Sequence, residues 1–160
     1  MLGDPLPSKR ATGVSILTEM ASPGGKLDRA YFRSAVETLC SYVRFDRDMY
    51  CRDAVFNALR RLNAGSDTAK KLLDDNLHQD LLRQIAEYAA YEQLGLEAAE
   101  EQLVVAAPEA GSIVRTAFAK EKVELAKQLS FAETFRPSGN RTDLAWSVRL
   151  TARDLARPID

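Results

Sequence analysis

The sole histidine, His78, follows Asp74 by four residues and Asp75 by three. On one continuous helix those spacings bring imidazole and carboxylates to the same face. Such a group is half of a metal site, but the remaining ligands show no spacing signal, so His78 reads as a surface histidine among solvated acids. Cys40 and Cys51 both lie in apolar helical patterns and are expected to be buried thiols of a reducing compartment, not a disulfide framework. Ser22-Pro23-Gly24-Gly25-Lys26 places glycines before a lysine without the spacing that cradles phosphates, and a plain loop is expected there. The acid pairs Asp74-Asp75 and Glu100-Glu101 are adjacent, so on a helix they diverge and cannot work as an acid/base couple. No catalytic, cofactor-binding or metal-ligating residue is assigned, and the chain reads as a non-enzyme with no cofactor.

Basic residues raise a different chemistry. Arg60-Arg61 and Lys70-Lys71 bracket a turn at Asn63-Ala64-Gly65-Ser66, a layout that a helix-turn-helix DNA reader shares. All-α domains join helices this way routinely, and a net charge of -1 supplies no global field for nucleic acid or an anionic membrane. No run of residues is apolar enough to span a bilayer, and Met1 to Arg10 holds no apolar signal-peptide core. A cytoplasmic protein is expected.

The elements that would position these residues are mostly helical. At 160 residues, 46% hydrophobic and 28% charged, the chain can bury a core without disulfides or metal. Residues 1–12, with Pro5 and Pro7, read as a flexible leader, and residues 13–135 as the helical domain. Leu27, Tyr31, Ala35 and Leu39 recur every four residues and predict a helix to Val43. Ala54, Ala58 and Leu62, broadened by Val55 and Leu59, predict the next. Ser66 would cap a helix through Leu73, and Leu77, Leu81, Ile85 and Tyr88 mark a separate one beyond it. Glu97 to Val105 gives a short helix, and Pro108 opens what should be the longest, running to Phe135 through Val114, Phe118, Leu125 and Leu129.

After Arg136-Pro137-Ser138-Gly139-Asn140 the period changes. Leu144, Trp146, Val148 and Leu150 alternate with Ala145, Ser147, Arg149 and Thr151, the period of a half-buried strand. The expected fold is therefore all-α: a single bundle of about six helices with a C-terminal strand-like extension over residues 136–160. A lone strand needs a partner for its backbone groups, and no second strand is evident, so the partner would come from another chain. Trp146, Val148 and Leu150 are the expected contact residues, with Arg149 on the opposite face.

The C-terminal third resembles the COMM-domain (COMMD) family. The residues that carry the likeness are Pro108-Glu109, Phe118-Ala119-Lys120-Glu121-Lys122, Leu125, Leu129 and Leu144-Ala145-Trp146-Ser147-Val148. The last of these looks like the opening of a COMM domain, and the preceding helices look like the family's N-terminal helical domain. The resemblance implies a non-catalytic scaffold subunit that pairs with COMM-domain-like partners in an endosomal cargo-recycling assembly. The alternative is an unrelated helical adaptor or effector that binds through an exposed helical groove, and DNA binding ranks below both.

Overall fold

The structure, a computed structural model, describes residues 2–21, 34–39, 42, 48–62, 67–135 and 141–156. The described elements are helices: α1 (Pro7–Ala21), α2 (Met49–Arg61), α3 (Asp67–Glu92), α4 (Leu96–Ala106), a 3-10 turn (Pro108–Ala110), α5 (Gly111–Lys120), α6 (Lys122–Thr134) and α7 (Arg141–Ala156). Residues 34–39 are helical as well, within the helix expected from Leu27 to Val43. The breaks expected at Ser22–Lys26, Asn63–Ser66 and Arg136–Asn140, and Cys40, lie outside the described residues.

The chain divides into two compact units between Asn76 and Leu77, in place of the single bundle expected over residues 13–135. In the first, α1 begins at Pro7, inside the expected leader, where a missing N–H costs nothing because no helical acceptor awaits it. Asp4 Oδ1 accepts from the Leu6 N–H at 2.9 Å and braces that start. α1 packs on α2 through Ala11, Val14 and Ala21, and α2 answers with Cys51, Val55, Phe56 and Leu59. Asp48 caps α2 by accepting from the Cys51 N–H at 3.0 Å. The Cys51 thiol is fully buried, and it donates to the Pro7 carbonyl at 3.1 Å.

The second unit has its own core. Leu81, Leu82, Ile85 and Tyr88 from α3 meet Ala99 and Leu103 of α4, Val114 and Phe118 of α5, Leu125 of α6 and Leu144 and Val148 of α7. α3 is continuous, where two helices were expected. Asp74-Asp75-Asn76 looks like an interruption, yet all three are partly or fully solvent-facing on an unbroken helix. α3 stops in a Schellman turn. Leu94 N–H reaches back to the Ala89 carbonyl at 2.9 Å, Gln93 N–H bonds Ala90 O at 3.2 Å, and Gln93 takes a left-handed φ of 55°.

The helix expected from Pro108 to Phe135 is three pieces. Pro108 opens only the 3-10 turn, and Glu121, at φ -119° and ψ 30°, separates α5 from α6. The expected strand at Leu144 to Leu150 is also corrected: it lies inside α7. Leu144, Ala145, Val148 and Ala152 enter the core with Leu155 partly buried, a spacing of 3.6 and not of two. Alanine, leucine and arginine fill the segment, and these favour helix over strand.

Candidate functional site

Helix α6 is held by one narrow stripe. Leu125 and Ala132 are buried, Glu124, Gln128 and Leu129 are partly so, and the rest of the helix faces outward. Apolar side chains occur on that outward side too: Val123 is 73% exposed, Phe131 64% and Phe135, just past the helix, 58%. The rings of Phe131 and Phe135 lie 4.8 Å apart at 42°. Single exposed large apolar side chains are ordinary, so a tilted phenylalanine pair left exposed together is the kind of feature that marks contact surfaces.

A groove of about 900 Å³ runs beside this patch. Tyr91, Gln93, Leu94 and Gly95 from the Schellman turn line one side, and Leu129, Ala132, Glu133 and Phe135 the other. The turn positions its wall: ending α3 at Glu92 lets Leu94 turn toward the core while Tyr91 stays 41% exposed. The groove combines an aromatic wall with a single acid, Glu133, and offers no nucleophile–base pair. Sequence reasoning placed Leu125 and Leu129 but missed Val123 and Phe131. The available signal was a second apolar set on α6, off the Leu125–Leu129–Ala132 stripe.

The four expected contact residues are separated by the helix. Val148 and Leu150 are buried, so they are not presented to a partner. Trp146 is 43% exposed. Arg149 does not oppose it: at i+3 on a helix the two share a side, and the guanidinium lies 5.0 Å from the indole centroid. The same guanidinium grips Glu109 of the 3-10 turn with two bonds of 3.0 and 2.7 Å. Trp146 thus sits on a clamped arginine, a small rigid surface feature.

His78 does not join Asp74. Asp74 pairs with Lys70, while His78 Nε2 lies 3.4 Å from Glu121 Oε1. Beside it is a cleft of about 250 Å³ walled by Leu81, Ile113 and Ala117, with Ser112, Thr116 and Lys120 at its edge. The Thr116 hydroxyl donates to the Ser112 carbonyl at 2.8 Å and so is not poised as a nucleophile. Among the described residues, no group of three or more His, Cys, Asp or Glu could hold a metal ion. Of the basic residues that suggested DNA reading, Arg60 donates to Asn57, Arg61 lies 3.8 Å from Glu19 and Lys70 pairs with Asp74, while Lys71 is exposed.

No family model, curated protein or solved structure matches this chain. The α6 surface must therefore be interpreted from its own chemistry. Elsewhere in the second unit, several charged groups bond one another. Asp80, fully buried, accepts from Arg83 and Gln84; burial opposes the charge on Arg83, but its bonds to Asp80 and Glu87 outweigh this and raise its pKa. Arg115 bonds Glu101 and Glu100, which raise its pKa as well. Among the described residues, no helix is long and apolar enough to cross a membrane.

Proposed function

We propose that this protein is a non-catalytic interaction subunit that docks a helical segment of another protein on α6. The observation that carries this reading is the exposed Phe131–Phe135 pair, with Phe135 lining the groove walled by Tyr91 and Leu94. Fully burying one such phenylalanine is worth roughly 1.5–3 kcal/mol, so covering the pair supplies a substantial driving force. An amphipathic helix laid in a groove is the mode that such a surface fits. The scaffold role implied by the COMM-domain resemblance, with its endosomal setting, is a narrower form of the same proposal. It rests on the sequence likeness alone, and strand donation by residues 144–150 is no part of it now that they are helical.

A photo-crosslinking side chain at Phe131, compared with one at the exposed Gln79, tests the surface in cells. Adducts are expected at Phe131 and not at Gln79. Phe131→Ser with Phe135→Ser should then reduce recovery of the crosslinked partner by about tenfold or more, as loss of two anchors implies. Equal crosslinking at both positions, or unchanged recovery from the double variant, would remove α6 as the contact element.

A further inference from the structure

The groove between Tyr91 and Phe135 holds polar groups that have no partner. Elsewhere in the second unit Glu87, Glu100, Glu109 and Glu124 each bond a neighbouring side chain. Glu133, on the groove wall, makes no hydrogen bond or ion pair with any described residue, and neither does the Gln93 carboxamide or the Tyr91 hydroxyl. Thr134 lines the groove too, but its hydroxyl is committed to the Ser130 carbonyl at 3.1 Å.

The electrostatics of the groove favour a cation. Glu133 is its one charged lining residue, and no lysine or arginine lines it. Lys127 is six residues from Glu133, about 120° round the same helix. It borders a separate hollow with Lys122. Helices α3 and α6 both end at the groove, and neither has a basic residue in its last turn to answer its negative dipole end. Helix α4 begins there, and its positive end is met by its own Glu97. Tyr91 and Phe135 add exposed aromatic surface on opposite walls. An acid, two aromatic rings and a spare amide acceptor, with no cation among them, suit a basic side chain.

Gln93 points the same way. It holds the left-handed φ of 55° that ends α3, where glycine is less strained. Glycine would close the turn but leave the groove without that amide, and backbone strain of this kind concentrates at binding sites. We infer that the groove receives a lysine or arginine side chain from the docked helical segment, its charge at Glu133, its stem between Tyr91 and Phe135, and the Gln93 carboxamide oxygen as a second acceptor. The inference rests on α6 being the contact element and adds what the partner inserts beside it. An acidic side chain is the wrong occupant, because it would set like charges against each other.

The test uses the full chain and two synthetic amphipathic helical peptides of identical apolar face. One carries a central arginine, and its twin carries citrulline, which has arginine's shape without the charge. Backbone amide spectra of the protein are followed as each is added. The arginine peptide should bind about tenfold more tightly than its twin, the combined effect of an exposed ion pair and a cation–π contact. It should shift resonances from Gln93 to Gly95 and from Leu129 to Phe135, and weaken as salt rises. Glu133→Gln should remove most of the preference and leave citrulline binding unchanged. Gln93→Gly should weaken the arginine peptide severalfold while raising the thermal midpoint, a combination that damage to the fold cannot produce. Equal binding of the twins, no binding of the arginine peptide, or a preference indifferent to Glu133→Gln would overturn the inference. If the twins bind equally and Phe131→Ser with Phe135→Ser abolishes both, α6 stands as contact element and the basic insertion falls. If neither peptide binds and crosslinking at Phe131 does not exceed that at Gln79, both readings fall.

Discussion

Leu144 and Trp146 are two residues apart and have opposite energetic roles. Leu144 is buried in the core of the second unit, whereas Trp146 lies half outside it on Arg149. Leu144→Ala should therefore cost about 2–5 kcal/mol, the range for a truncated core leucine. Trp146→Ala should cost no more than about 1 kcal/mol, the scale of an exposed cation–π contact. Urea midpoints at constant m-value measure both, and the reverse ranking would contradict the helical placement of this segment. The reason this was not legible beforehand is geometric. Leu144 and Val148 are four apart and satisfy both a period of two and a period of 3.6, so only Trp146 and Leu150 tipped the reading toward a strand. Ala145 and Ala152 carried the helical period, and their small size made them poor witnesses. Cys51 was clearer, since it falls on the apolar face that Val55 and Leu59 continue at helical spacing, and there a thiol is buried.

Among the elements, helices with a wide apolar stripe were readable from spacing, as α2 and α4 are, while their joints were not. Asp74-Asp75-Asn76 resembles a break, yet on a helix exposed at one side a polar triplet is tolerated, and α3 passes through it. Glu121 is the converse case: a helix joint with neither glycine nor proline to announce it. The Schellman turn is a third. Gln93 occupies a left-handed position that glycine fills at lower cost, because a Cβ there crowds the backbone. Gln93→Gly is expected to raise stability by about 0.5–1 kcal/mol. Thermal unfolding followed by circular dichroism checks it, and a loss of stability would mean that the Gln93 side chain contributes more than its backbone strain costs. The same turn lines the groove, so the variant also reports whether the wall tolerates a smaller residue.

On the scale of the whole molecule, charge decides between partner classes. The chain carries a net charge of -1, so it has no global positive field to gather phosphates. Non-specific duplex binding needs many phosphates neutralised at once and reaches dissociation constants of about 10⁻⁴–10⁻⁶ M when it succeeds. Fluorescence anisotropy of a labelled duplex should accordingly stay flat through tens of micromolar protein at physiological salt, and a steep salt-sensitive rise would restore the DNA reading. That the fold is helical followed from the spacing of leucines and valines. That its core is split between Asn76 and Leu77 did not, because a stripe of apolar residues says that a helix is covered and not by which neighbours.

The thin attachment of α6 has an evolutionary consequence. With Leu125 and Ala132 alone fully buried, most of its positions carry no packing constraint. Exchanges at such sites change stability by about 0.5 kcal/mol or less, below what selection on folding can readily act upon. Val123, Lys127 and Phe131 are free to drift together while the scaffold stays the same. Lineages can thus acquire a new binding preference through a few neutral steps along one helix, without passing through an unfolded ancestor.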